Sequence, residues 1–404
     1  MGAAAAGVVI VGAGLGAVRV AENLRADSYD KAITLIGAEP HPPYDRPPLS
    51  KSVLLGKEDR VDLKPEDFYA DSDITLRMGS TVTAVDTDAG TVTVRDERGE
   101  QSTVAYETLV LATGLRPRAF PGTDAMSGVH TLRTYADALA VRSAIDSAQN
   151  AVVIGAGFIG CEVAASLSSQ GVSVTIVEPA PTPLALALGP RIGALVTRMH
   201  ETNGVTVRTG VGVAEIVARE GGAVREIRLD DGSVLPADLV VAGIGSVPVT
   251  DYLDGSDIEI APRSAGGGIA CDARGRTSAP GVYAVGDVAN WLDATGVTRR
   301  VEHWNHTVEQ AAVVAADITG AQGVTAAVPY FWSDQFDLKI QVLGDPRADD
   351  DVHVVSDDGK KFLAYYSRDG ILTAVVGAGK VGAVMKTRPK LQTPTPISEL
   401  VSPA

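Results

Sequence analysis

The apolar positions of this chain fall into short runs that end on glycine, and two of those runs open nearly identical patterns. Residues 151–178 read AVVIGAGFIGCEVAASLSSQGVSVTIVE. The uncharged run 151–154 predicts a buried strand, and Gly155, Gly157 and Gly160 a turn. A small-residue helix follows and stops at Gly171, and a second strand ends in Glu178. Residues 8–39, VVIVGAGLGAVRVAENLRADSYDKAITLIGAE, repeat that order with glycines at 12 and 14 and an acid at the end.

The remaining pattern fills in two copies of one architecture and then changes. Pro47 and Pro48 hold a helix off until Leu49, so 50–55 forms a short helix carrying Lys51 near its start. Residues 62–73 read as helical, and 74–77, 81–86 and 91–96 as a meander. Residues 109–114, LVLATG, form a buried parallel strand, and 136–148 a helix. The second half mirrors this with a meander (205–217, 224–229, 233–235) and the strand 239–245, LVVAGIG. A strand at 282–285 delivers Gly286 and Asp287 to a sheet edge, and residues 299–310 open an alanine-rich helix reaching 318. From about 326 onward, strands at 329–343, 352–356, 361–367 and 371–377 and a closing helix at 379–390 predict a mostly antiparallel domain. The tail 393–404 reads as loose.

Composition narrows the field. The 404 residues suffice for two or three domains, and 45% apolar with 21% charged residues is ordinary for a globular protein. A net charge of −15 disfavours nucleic acid and anionic membranes as partners. The two cysteines, Cys161 and Cys271, cannot build a disulfide framework, and a cytoplasmic location is expected. Residues 1–18 carry no charge and so no basic leader pattern, and their glycines fall where a turn needs them.

The glycine spacing carries the chemistry. In G-x-G-x-x-G the first glycine turns the chain, the second bares backbone to a pyrophosphate, and the third lets helix and strand pack closely. Glu178, 21 residues past Gly157, is placed to take both hydroxyls of an adenosine ribose and to repel a 2′-phosphate. No arginine follows before Arg191, so NADH is expected over NADPH. The first copy has Ala17 at its third position, a tolerated variant. Two such units imply two adenine dinucleotides; the plainer reading, a copy decayed to scaffold, is opposed by the glycines both retain.

In combination and order, VVIVGAGLGA, PYDRPPLSK, LVLATG, VVIGAGFIGCEVA, GVYAVGD, RVEHWN and FWSDQ resemble the FAD-containing, NADH-dependent reductases that feed bacterial monooxygenases and dioxygenases through ferredoxins or rubredoxins. The putidaredoxin reductases and dioxygenase ferredoxin reductases are the nearest groups, and the resemblance spans essentially the whole chain. It implies an α/β fold with two Rossmann-like nucleotide-binding domains of the glutathione-reductase type plus a C-terminal α+β domain. The implied limits are 1–117 with 246–325 for FAD, 118–245 for NADH and 326–404 for the last domain.

The resemblance also implies a site. FAD would rest on Gly12, Gly14, Leu15 and Gly16, with Ala38 and Glu39 at the ribose and Arg46, Lys51, Val82, Thr113, Gly114 and Arg133 around it. Gly286 and Asp287 would serve the ribityl chain, with Trp304 near the isoalloxazine. NADH would rest on Gly155, Gly157, Phe158, Ile159, Gly160, Glu162, Glu178 and Gly245. Lys51, Glu162, Trp304 and Trp332 would be catalytic, Trp332 as an aromatic between flavin and iron–sulfur partner. No metal is expected. Ala38 stands where several relatives carry an acid, and His306 has no assigned role.

Residue content rules out a thiol exit for the electrons. A dithiol relay needs a C-x4-C pair after the first unit, and this chain has Ser50–Lys51–Ser52 there, with no cysteine before Cys161. Both cysteines read as small apolar fillers. The resemblance implies an acidic [2Fe-2S] or related ferredoxin as the acceptor, with Arg299 and Arg300, then Arg191 and Arg198, as docking charges or ordinary surface arginines. An NADH:quinone-type dehydrogenase and a redox-signalling flavoprotein akin to the apoptosis-inducing flavoproteins are the alternatives.

Overall fold

Four consecutive apolar residues, Val8–Val11, are buried without alternation, the signature of a strand covered on both faces. The computed structural model describes residues 7–293, 296–322 and 328–401. The chain forms two compact units. One comprises Met1–Asp45, Arg60–Arg116 and Ser246–Ala327; the other comprises Arg46–Asp59, Pro117–Gly245 and Val328–Ala404.

In the first unit Val8–Val11 is central in a five-stranded sheet of order Val282–Ala284, Thr108–Leu111, Val8–Val11, Ile33–Ile36, Ile74–Arg77. All pairings are parallel, with Val8 opposite both Ile33 and Thr108. The second unit repeats the order with Thr206–Thr209, Ser173–Glu178, Asn150–Ile154, Leu239–Ala242 and Val129–His130. The strand beside the LVLATG counterpart arrives late in the chain in one copy and early in the other. A three-stranded antiparallel meander accompanies each sheet: Ser80–Asp86, Thr91–Asp96 and Gln101–Ala105, then Val213–Ala218, Val224–Leu229 and Val234–Pro236.

Two strands pair differently from what the apolar pattern predicts, for one reason. Ile74–Arg77 is a parallel strand of the main sheet and not part of the meander, and 205–217 is two strands in two sheets. The breaks fall at Gly79 (φ 60°) and Gly210 (φ 70°), where left-handed backbone turns the chain out of one sheet into another. Apolar alternation records a strand but not its partner.

The proline segment also departs from expectation. Pro47–Ser50 is itself a 3₁₀ turn with proline in its first positions, and turns rather than a helix follow Lys51. Proline's fixed φ suits the first turn, where its missing N–H has no partner to lose. Of 62–73 only Glu66–Asp71 is helical. Ala185–Thr202 is a helix the reading passed over, entered through Leu184 at φ 55° and kinked at Gly189–Pro190.

The C-terminal sheet is antiparallel, in the order Tyr330–Gln335, Leu338–Gly344, Ile371–Ala378, Phe362–Arg368, Asp351–Asp357. Residues 329–343, read as one strand, are a hairpin turning at Phe336 (φ 55°), whose ring packs edge-on against His200 at 5.2 Å. The tail is tied down as far as residue 401: Leu372 N–H donates to Thr395 O and Ile397 N–H to Gly370 O, both 2.9 Å.

Candidate functional site

Both glycine turns have the geometry their spacing demands. Gly12 (φ 113°) and Gly155 (φ 96°) lie so close to the carbonyls of Ala112 and Gly243 that a Cβ would collide with them. Gly14 and Gly157 cap the helices Leu15–Ala26 and Phe158–Ser169 with no side-chain cap hydrogen bond, and a Cβ on either would meet nothing within 4 Å. Each helix therefore presents unsatisfied first-turn N–H groups to an open, bare-backbone cradle, which fits a phosphate. Gly160 packs on the Gly155 carbonyl. In the first copy Ala17 is fully buried and Gly16 admits Thr307 and Val285 instead.

The acids differ between copies. Glu178 ends its strand and accepts the backbone N–H of Ala156 at 2.6 Å and of Ala180 at 2.8 Å, which fixes it beside the turn. Gly12 N–H donates to Ile36 O as Gly155 N–H donates to Val177 O, so Gly37 is the register counterpart of Glu178. A Cβ at Gly37 would meet Ala13 Cβ at 2.6 Å and Met78 Cε at 3.0 Å. No acid can stand there. Ala38 is exposed, and the carboxylate moves on to Glu39, half-buried and accepting the Tyr44 hydroxyl at 2.5 Å.

Other first-unit residues fall into place by packing. Thr113 Oγ1 donates to Val249 O at 2.8 Å, Gly114 is left-handed at φ 67°, and Val82 lies in the core. Gly286–Val288 is a 3₁₀ turn whose Gly286 N–H donates to Gln310 Oε1 at 2.7 Å. Trp304 Nε1 donates to Asp45 at 3.0 Å, with the Arg19 guanidinium 5.7 Å from its ring centroid. His306, unassigned from sequence, shares a 3.0 Å hydrogen bond with Gln310 Nε2. Burial, then Arg299, lowers its pKa against the pull of Asp287, so its Nε2 accepts from the Gln310 amide and steadies the Gly286 turn.

In the second unit Lys51 Nζ pairs with Glu162 at 2.9 Å, their side chains 19% and 6% exposed. Residues 111 positions apart thus form one enclosed ion pair. Their separation along the chain gives no sign of the pairing; Glu162 is buried because it points inward from Phe158–Ser169. Arg46 donates to the carbonyl of Arg133 at 2.5 Å, while Arg133 N–H is held by Asp137. Phe158 meets Phe331 edge-on at 5.1 Å, Ile159 is half exposed, and Gly245 is left-handed beside Arg118. Trp332 stacks on Tyr330 at 5.9 Å with Lys339 Nζ 5.5 Å from its ring centroid.

The arginines considered for docking are engaged. Arg300 donates to the carbonyls of Gly266 and Asp287 and to Glu302, leaving only 11% of its side chain exposed; it is a clamp within the fold, contrary to expectation. Arg299 pairs with Asp293, Arg198 with Asp357, and Arg191 with Val352 O.

Cys161 and Cys271 are buried, and burial pushes both thiols up, away from thiolate chemistry. Among the described residues no cluster of His, Cys, Asp or Glu suits a metal ion, and no helix is long and apolar enough to cross a membrane.

Two glycine-turn units, an antiparallel C-terminal sheet and two buried thiols thus occur in one chain. The chain belongs to the pyridine nucleotide-disulphide oxidoreductase family, whose pattern matches residues 6–311, and residues 330–400 match a reductase C-terminal family. It is 36% identical to a rhodocoxin reductase of Rhodococcus erythropolis, over 97% of this chain and 90% of that one. It is 39% identical to the ferredoxin–NAD(+) reductase component of an anthranilate 1,2-dioxygenase system of Burkholderia cepacia, over 83% and 81%. The reductase in the covalent putidaredoxin reductase–putidaredoxin complex matches with a TM-score of 0.89 at 32% identity, covering 96% of this chain and 93% of that one. A ferredoxin reductase from Rhodopseudomonas palustris matches with a TM-score of 0.90 at 33% identity, over 96% and 95%.

Proposed function

We propose that this protein is an NADH-dependent ferredoxin reductase that carries FAD and serves a bacterial monooxygenase or dioxygenase. The observation that carries the reading is the enclosed Lys51–Glu162 ion pair, set on the helix that follows the second glycine turn, in a chain whose thiols are buried. When bound, FAD accepts two electrons from the nicotinamide and releases them one at a time. The functional limits proposed are 1–117 with 246–325 for FAD, 118–245 for NADH and 326–404 for the C-terminal domain.

Within this reading the residues have distinct tasks. The Gly12–Gly14 turn and the helix start at Leu15 and Gly16 cradle the FAD pyrophosphate, and Gly286 and Asp287 take the ribityl chain. The Gly155–Gly160 turn cradles NADH, and Glu178, already aimed by two backbone N–H groups, takes the ribose hydroxyls. Residues 179–190 hold no lysine or arginine, so a 2′-phosphate meets a carboxylate and no counter-charge. Lys51 presents a positive charge where the reduced ring gains electrons, and Glu162 holds that ammonium in place. Trp304 serves the flavin ring, and Trp332 serves the passage of electrons to an acidic [2Fe-2S] ferredoxin or a rubredoxin.

The test is anaerobic mixing of the purified yellow holoprotein with NADH or NADPH, followed by a ferredoxin and cytochrome c. Fast bleaching by NADH, slow bleaching by NADPH and reoxidation by the ferredoxin are expected. A colourless protein, or one left yellow by NADH, would sink the reading. Slow bleaching with a long-lived nicotinamide complex would favour a signalling flavoprotein. For the acceptor, Arg299 combines 43% exposure with a place five residues before Trp304. Arg299→Ala is expected to raise the KM for the ferredoxin several-fold at low salt and less at high salt, and an unchanged KM would remove it from docking.

A further inference from the structure

Glu162 is 5% exposed, yet groups from separate segments of the second unit converge on it. Lys51 Nζ and Ser50 Oγ reach Oε2 at 2.9 and 2.5 Å, and Ser333 Oγ reaches Oε1 at 2.7 Å. An ionised carboxylate has no proton to give, so both hydroxyls donate to it. Ser333 then accepts from Gln335 Nε2 at 3.1 Å, which orients the amide and turns Oε1 toward His200 Nε2 at 3.0 Å. His200 must therefore carry its proton on Nε2. Every donor in this buried chain, from His200 through Gln335 and Ser333, points toward Glu162. On the other side Ser166 Oγ holds the Ser50 carbonyl at 2.7 Å, and Lys51 Nζ also reaches Pro47 O at 3.1 Å.

The strand Tyr330–Gln335 therefore has two faces of consequence. Successive side chains alternate, so Ser333 is buried on the Glu162 side while its neighbour Trp332 points away. We propose that Ser333 is a positioning residue for flavin reduction: the strand carrying Trp332 also supplies the hydroxyl that aims the Glu162 carboxylate at Lys51. The proposal rests on the reading above, in which the Lys51–Glu162 pair serves that reduction. Ser50 performs the same task on the other carboxylate oxygen. Without the Ser333 hydroxyl, Glu162 Oε1 loses a buried donor and Gln335 Nε2 its acceptor, so the carboxylate can swing and Lys51 is released.

The experiment compares Ser333→Ala and Ser333→Thr with the parent protein by two readouts. The first is the rate at which acetic anhydride modifies Lys51 in the purified protein before any NADH is added, followed by peptide mass spectrometry. The second is stopped-flow reduction, separating the limiting rate from the Kd for NADH. Ser333→Ala should acetylate at Lys51 about fivefold faster and reduce its flavin about tenfold more slowly, with the Kd within about twofold. Ser333→Thr should restore both. A lowered melting temperature with wild-type Lys51 labelling and wild-type reduction would overturn the proposal. Should Ser333→Ala fail to fold, Ser50→Ala is expected to move both readouts in the same directions, and wild-type values there would overturn it equally. Lys51→Met separates the two levels: if it reduces normally, the role of the ion pair falls; if it is slow while Ser333→Ala behaves as wild type, only the Ser333 assignment falls.

Discussion

Lys51 and Glu162 show how little a single residue's surroundings in sequence say about its state. Lys51 follows a proline-rich stretch and Glu162 sits in a helix of small residues, and neither context announces a partner. The roles proposed for them come from resemblance through the motifs PYDRPPLSK and FIGCEVA, and the 2.9 Å pair brings those two motifs together. Lys51→Met should slow flavin reduction by NADH without loss of bound FAD, checked by stopped flow against the flavin absorbance; an unchanged rate would remove Lys51 from the mechanism. Glu178 is different, because its place at a strand end is what points to the task proposed for it. Glu178→Ala removes charge-assisted hydrogen bonds, so the KM for NADH should rise at least about tenfold and preference over NADPH should narrow. Ser50, Ser333, Gln335 and His200 drew no role from the sequence, although the first three lie within quoted motifs: a serine within a strand pattern reads as a polar position, and only packing shows it facing a buried carboxylate.

At the scale of elements, glycine did most of the punctuation. The turns at Gly12 and Gly155 were legible because close carbonyl approach and positive φ leave no other residue possible. The tip Asp369–Gly370, with φ of 52° and 75° between the paired residues Arg368 and Ile371, is a two-residue hairpin of the kind Asp-Gly favours. A Cβ at Gly370 would meet open space, so Gly370→Ala should cost about 1–2 kcal/mol through backbone strain alone, measured by urea unfolding. The elements misjudged were those whose identity depends on a partner: Ile74–Arg77, Thr206–Thr209 and the hairpin at Phe336. Gly37 adds an instance of the reverse, where Ala13 and Met78 forbid the acid that the repeat would otherwise carry and displace it to Glu39.

For the molecule as a whole, the buried polar chain ties stability to pH. Burial pushes the His200 imidazole down to about 4, while in the unfolded chain it titrates near 6.5. The unfolded state binds the extra proton first, so stability is full above about pH 6.5 and is lost as pH falls toward 4, by up to about 3 kcal/mol. His200→Gln should flatten the unfolding free energy over that window, which denaturant titrations from pH 7 to pH 4 would reveal; an unchanged slope would assign the acid sensitivity elsewhere. The net charge of −15 acts at this scale too. The arginines named for docking are each bonded to a carboxylate or carbonyl, so any attraction for an acidic ferredoxin is local and set against a repulsive field.

The sequence by itself determined the two glycine turns, the acid that ends the second strand of the second unit, the closing antiparallel domain and the absence of a cysteine pair after the first unit. These are matters of local backbone freedom, residue type and short-range order, which spacing records directly. Tertiary structure alone decided which strands pair, why the first acid stands at Glu39, that Arg300 faces inward, and that the tail is held. It also assembled Lys51, Glu162 and Ser333 from three distant segments. Those outcomes depend on which atoms exclude one another and which buried polar groups must find partners, and neither is written at any fixed separation along the chain.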